Sequence, residues 1–264
     1  VGNTTNRDAD KRALRARRAS SFGAHATAYA EHRPDYPMAA IQWALESILP
    51  AAPAPVVLDL GAGTGKLTEG LLAAGATVIA VEPDDGMRIE LMRRLPGVRA
   101  YEGAAEAIPL ADGSVDAIVA GQAFHWFDQD RAFPEFARVL RRGGRFAALW
   151  NTDDMRVDWV AGLAEVARSV ASTPPPEPGE ARLPAHPLFE AFERSEFPHV
   201  QRRTAESLAA TIGTHSHTLV VSEQQRAEVL RRITEYLRSR PETAEGEFDL
   251  PLVTLVLRTR LRTG

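Results

Sequence analysis

Five short apolar runs, Val56–Leu60, Val78–Val81, Val98–Tyr101, Val115–Ala120 and Arg145–Trp150, alternate with helix-patterned or crossover segments. That rhythm limits the possible folds more than any other feature of the chain. Parallel strands need long crossovers, and helical crossovers cover the faces of the sheet they connect. The pattern therefore predicts an α/β domain on a mostly parallel sheet. Helices are expected at Lys66–Ala74, Gly86–Arg94 and Arg131–Leu140, the last stopped by "RRGG". Upstream, Ile41–Leu49 reads as a short amphipathic helix closed by the breaker run "PAAPAP". Beyond Trp150 the alternation stops. Val157–Val170 reads as helix, "STPPPEPGEARLPAHP" as a proline-rich loop, Phe197–Arg203 as strand, Gln224–Arg238 as helix and Leu252–Leu261 as strand.

Composition narrows the class. The chain has 264 residues, 44% hydrophobic and 25% charged, which suits a folded domain with a sizeable core. A net charge of −4 argues against nucleic acid as an obligatory partner. With no cysteine, disulfides, thiolate nucleophiles and cysteine-built zinc sites are excluded. No apolar stretch approaches the roughly 18 residues of a membrane span, and the first residues lack the apolar core of a signal peptide. A cytoplasmic protein is expected. The opening "VGNTTNRDADKRALRARRAS" is polar and arginine-rich and reads as a solvated tail.

"VVLDLGAGTGKLTEG" ends the first predicted strand in three alternating glycines and a lysine. A nucleoside-triphosphate loop needs a glycine five residues before Gly65 and a Ser or Thr after Lys66; Leu60 and Leu67 stand there. The dinucleotide fingerprint wants its third glycine at the position of Lys66. Asp59, two residues before Gly61, would repel a pyrophosphate and suits an ammonium or a hydroxyl. Lys66 itself reads as a solvated first-turn residue. Glu82 closes the second strand, where a carboxylate accepts ribose hydroxyls. Ribose recognition without phosphate recognition fits S-adenosylmethionine. No histidine or carboxylate, the pair His215 and His217 included, stands at metal-ligand spacing, so no metal is expected.

The ordered set "VLDLGAGTGKLT", "VEPDDGM", "GAAEAIPLADGSVDAIVAGQAFHWF" and "VLRRGGRF" resembles the class I S-adenosylmethionine-dependent methyltransferases, and within them the ubiquinone/menaquinone-biosynthesis and trans-aconitate methyltransferase-like group. The likeness runs from about Phe22 to Leu149. It implies a Rossmann-like, doubly wound, seven-stranded sheet with an antiparallel last strand. It also implies an organisation into a tail (1–20), an N-terminal helical cap (21–50), a cofactor-binding core (51–150), and a lid with closing strands of the same domain (151–264). By the same resemblance Asp59, Gly61, Ala62, Gly63 and Gly65 line the methionine part of the cofactor, and Gln122 touches it. Glu82 holds the ribose, while Pro83 and Met87 flank the adenine. Ala104 stands where relatives often carry Asp, leaving the backbone N–H of Ala105 to meet the ring. Tyr29 and Arg33 are expected to close over the cofactor, Arg33 by pairing with its carboxylate.

"GQAFHWFD" supplies the acceptor side. His125, on the loop after the fourth strand, is the candidate general base. Trp126 and Trp150 are candidate acceptor walls, and Trp126 could also attract a sulfonium through its ring face. The acceptor is expected to be a small molecule. Oxygen, nitrogen and carbon all stay open as the methylated atom, oxygen being favoured by the histidine. A cofactor-binding protein without turnover and a nicotinamide-dependent oxidoreductase are the competing readings. The sequence leaves the oligomeric state open.

Overall fold

The computed structural model describes residues 33–49, 54–168, 185–213, 218 and 221–263. Its helices are α1 (Met38–Ala44), α2 (Lys66–Ala73), α3 (Asp85–Arg94), α4 (Gln129–Val139), α5 (Asp158–Val166), α6 (Ala205–Gly213) and α7 (Glu223–Arg238). Its strands are β1 (Val56–Leu60), β2 (Thr77–Val81), β3 (Arg99–Tyr101), β4 (Val115–Gly121), β5 (Leu140–Asp153), β6 (Glu193–Arg203) and β7 (Phe248–Arg260). They form one sheet in the order β3-β2-β1-β4-β5-β7-β6. Strands β1 to β5 pair in parallel, and β7 runs antiparallel to β5. This is the Rossmann-like, doubly wound sheet that the alternating runs and the resemblance imply.

Alternation along the strands divides the core. Leu58, Leu60, Ile79, Val81 and Ile118 pack one face with an aromatic cluster of Phe124, Phe133, Phe136 and Phe146. Val57, Val78, Ala117, Val119 and Leu149 pack the other face with Ile41 and Leu45. Period-2 side-chain direction explains the split. The strand order reverses between β1 and β4, whose neighbours lie on opposite sides, and ligands of such sheets sit at that switch point beyond the carboxyl ends.

The chain divides into two compact units. One comprises Pro34–Asp154, Pro176–Val200 and Pro251–Gly264; the other comprises Val1–Arg33, Met155–Pro175 and Gln201–Leu250 and holds α5, α6 and α7. Within the latter, Val229, Ile233 and Leu237 form the buried stripe of α7, and the Tyr236 hydroxyl donates to the Trp159 carbonyl at 2.9 Å. Ser222 and Gln225 close a capping box at the start of α7, with bonds of 3.3 and 3.1 Å. Ser222→Ala is expected to cost about 1 kcal/mol of stability, read from a urea titration.

Several element boundaries depart from the sequence reading, with β6 and β7 each beginning four residues early, at Glu193 and Phe248. Helix α1 starts three residues early, after Pro37, whose fixed φ suits a helix entry, and residues 45–48 form turns. Strand β5 takes in "RRGG" and runs to Asp153. A register shift between Val115 and Ala117 on β4 absorbs the extra residues, and Gly143 adopts φ +72°. Helix α6 follows β6 directly, with the Thr204 hydroxyl accepting from the Ser207 N–H at its start. Among the described residues no helix is long and apolar enough to cross a membrane.

Candidate active site

The β1–α2 turn is built by backbone demands. Gly61, Gly63 and Gly65 have φ of +70°, +55° and +87°. At Gly61 a Cβ would stand 2.7 Å from the Ala123 methyl, with the Phe127 ring behind it, so β4's outgoing loop backs the turn. At Gly63 no atom lies within 4 Å of such a Cβ, so the turn opens there onto space.

Where the turn's N–H groups go decides what it can hold. Gly61 and Ala62 both donate to the Val81 carbonyl, at 2.8 and 3.2 Å, and Gly65 donates to the Ala62 carbonyl at 2.9 Å. Gly63 donates to Oε2 of Glu82 at 2.8 Å. A phosphate cradle presents its amide donors to the ligand; here four are already committed, one to a carboxylate. Lys66, expected to be solvated, is only 17% exposed and pairs with Asp35 at 2.8 Å. These four amides and the Lys66 ammonium would have to give up their present partners to meet a diphosphate.

Two carboxylates occupy the strand ends instead. Asp59 is fully buried. Its Oδ2 accepts from the Thr68 hydroxyl at 2.5 Å, while Oδ1 has no partner. Burial raises its pKa to about 7, against the Thr68 bond, and the neighbouring Glu82 charge pushes the same way. Glu82 is also nearly buried. Its Oε1 accepts from Asp84 N–H at 2.9 Å, and desolvation outweighs that bond and the Gly63 bond to raise its pKa. Each Glu82 oxygen retains lone-pair capacity for a ligand hydroxyl. A buried orphan carboxylate oxygen asks for a cationic donor. The residues present thus suit an ammonium beside Asp59 and hydroxyls at Glu82, with room at Gly63.

The remaining predicted residues fall into groups. Asp84 caps α3 by accepting from the Met87 N–H at 2.9 Å, which seats buried Met87 in the turn after exposed Pro83. Ala104 and Ala107 bridge in a tight turn after β3, with Ala105 buried beside them. Gln122, at the tip of β4, has φ +54°, the one non-glycine residue with positive φ among the described residues. Its N–H donates to the Leu149 carbonyl at 2.8 Å and its side-chain amide to the Asn151 carbonyl at 2.7 Å, and these hold the strained conformation. Tyr29, His215 and His217 lie outside the described residues. Arg33 belongs to the other compact unit.

Aromatic side chains gather after β4. The Trp150 indole N–H donates to Nδ1 of exposed His125 at 3.3 Å, and the His125 and Trp126 rings lie 4.8 Å apart. Accepting at Nδ1 places the neutral ring's proton on Nε2. Among the described residues no group of three histidine or acidic side chains is placed to hold a metal.

Sequence reasoning missed three groups here. Thr68 holds Asp59. Tyr36 lays its hydroxyl end against the tip of β4, where a Cβ on Gly121 would stand 2.6 Å from Oη. Asn151 donates to the Asp35 and Pro34 carbonyls at 3.1 and 3.3 Å and accepts from the Thr254 hydroxyl at 2.5 Å, fastening the segment before α1 to β5 and β7. The signal for Thr68 was its place in the first turn of α2, close behind the glycines.

This geometry has relatives. A family described as "Methyltransferase domain" matches residues 58–148. An uncharacterized methyltransferase of Mycobacterium tuberculosis is 40% identical over 242 residues, covering 91% of this chain and 96% of that one. The chain belongs to the class I S-adenosylmethionine-dependent methyltransferases. A Schizosaccharomyces pombe methyltransferase-like protein is 30% identical over 81% of this methyltransferase and 84% of its own length. A solved structure from Anaeromyxobacter dehalogenans, provisionally described as a type II methyltransferase, superposes with a TM-score of 0.60 at 28% identity. It covers 87% of this chain and 97% of the other. The cofactor of the methyltransferase is S-adenosylmethionine.

Proposed function

We propose that this methyltransferase modifies a small-molecule acceptor at oxygen, with His125 as the catalytic base. The observation that carries the reading is the placement of an imidazole lone pair on the aromatic loop after β4. That lone pair, Nδ1, is held by a Trp150 N–H at 3.3 Å, the long end of hydrogen-bond range. An acceptor hydroxyl that displaces the indole meets the Nδ1 lone pair, which can take its proton as the methyl is transferred. S-adenosylmethionine supplies a methyl group already activated on a sulfonium. The protein's larger share is therefore alignment, worth on the order of 7–11 kcal/mol, and proton removal adds to it.

In this reading Asp59 receives the cofactor's ammonium and Glu82 its ribose hydroxyls. Ala62, Gly61, Gly63 and Gly65 lie against its methionine chain, and Gln122 touches the same part. Pro83, Met87, Ala104 and Ala105 surround the adenine. Trp126 and Trp150 form walls for the acceptor.

The test is turnover. A panel of hydroxylated, carboxylic and amine metabolites is incubated with donor labelled in the methyl group, and product is traced by mass. His125→Ala is expected to lower kcat on the order of 100-fold or more with the donor's KM nearly unchanged. Trp150→Phe, which keeps the ring and frees the lone pair, is expected to retain turnover. A His125→Ala enzyme within threefold of the parent would remove the base and leave alignment alone.

A further inference from the structure

A second polar cluster lies on the α1 face of the sheet. Arg145 on β5 and Arg260 on β7 are directly paired across the antiparallel ladder, and Arg258 sits one pair further along the same face. Arg258 is buried and fully engaged. It pairs with Glu193 at 2.6 Å and Glu46 at 2.8 Å, and its guanidinium lies 3.8 Å over the Trp43 ring. Arg145 and Arg260 differ. Among the described residues neither has a carboxylate partner. Both donate to one neutral atom, Ser47 Oγ, Arg145 through Nε at 2.8 Å and Arg260 through Nη2 at 3.1 Å. Arg145 is 9% exposed, and Nε of Arg260 is buried without any acceptor.

Three guanidinium groups against two carboxylates leave a local excess of positive charge in a half-dry place, which is costly without a counter-charge. Burial, reinforced by Arg258 and Arg260, lowers the proton affinity of Arg145 accordingly. Two guanidiniums already converge on one oxygen, and the Ser47 hydroxyl proton can be turned outward as a third donor. Planar forks of this kind match tetrahedral oxyanions. Arg145 is in register with Ala117 and through it with Val57 at the start of β1, so the cluster lies at the end of the sheet away from the glycine turn.

We propose that Arg145, Arg260 and Ser47 form a second binding site, for a phosphate-class oxyanion, separate from the cofactor pocket. The occupant is either free phosphate or the phosphoryl group of a larger ligand. Isothermal titration of the full chain with inorganic phosphate, and separately with O-phosphoserine as a monoester, at constant ionic strength set with chloride, distinguishes the two sources. Saturable binding of either supports the site. Arg260→Gln is expected to weaken it at least tenfold and Ser47→Ala, on a half-buried turn, several-fold, with S-adenosylhomocysteine affinity unchanged in both. Absence of saturable binding by the parent, or equal affinity in the parent and both variants, would overturn the proposal.

Discussion

Asp59→Asn is expected to make the ligand-free protein more stable at pH 8 while weakening its hold on S-adenosylhomocysteine. The parent Asp59 has a folded pKa of about 7 against an ordinary value of 3.8. Between those values the folded protein keeps a proton that the unfolded chain has released, so stability falls as pH rises through that window and stays reduced above 7. Three units correspond to about 4 kcal/mol, an upper figure for one buried group coupled to Glu82. Asparagine preserves the volume and still accepts from Thr68, so the variant loses the Asp59 share of that fall and keeps only what Glu82, whose pKa is also raised, contributes. Binding runs the other way. An ammonium beside the carboxylate needs the ionised form, so parent affinity drops toward tenfold per pH unit below 7. At still higher pH it drops again as the ligand's own ammonium loses its proton. The variant loses roughly 10- to 100-fold at pH 7.5, the worth of a charge-assisted hydrogen bond, and converges with the parent near pH 5.5. Urea melts and calorimetric titrations from pH 5 to 9 measure both. A parent whose affinity ignores pH would place the ammonium elsewhere.

The turn after β1 was legible because its residues answer to backbone geometry. A turn that passes directly from a buried strand to a helix must find positive-φ positions, and Gly61, Gly63 and Gly65 announce it. The sheet order was legible for a similar reason, since alternating strands and crossovers allow few arrangements. What escaped is tertiary. Lys66 reads as solvated because its partner, Asp35, sits 31 positions upstream, and only the path of the chain brings them together. Tyr36 packs on the tip of β4, a contact with no local sequence pattern to announce it. The reach of β5 through "RRGG" depends on its pairing with β4, and local propensity carries no record of a partner strand. The committed amides of the glycine turn were equally invisible. The sequence distinguishes a phosphate site from this one by spacing, the structure by where each N–H points.

Gly63→Ala separates the two uses of that turn, because its neighbour Gly61 provides the contrast. Alanine at either position must hold a left-handed φ, at about 1–2 kcal/mol. At Gly61 the new methyl also collides with Ala123 at 2.7 Å, and relief of such overpacking costs about 1–3 kcal/mol more. At Gly63 it meets no protein atom. Gly61→Ala is therefore expected to lose stability heavily, and Gly63→Ala to fold with a shift of only a few degrees in Tm. If the open space belongs to the methionine chain of the cofactor, the Gly63→Ala methyl occupies it. The folded variant then binds S-adenosylhomocysteine on the order of 100-fold more weakly. Thermal melts and titration of the two variants side by side read this directly. A Gly63→Ala protein that melts near the parent and binds within twofold of it would show that the space before the turn is not where the ligand lies. Weak binding combined with intact folding ties the positive-φ glycine to recognition, since loss of structure could not then explain the loss of affinity.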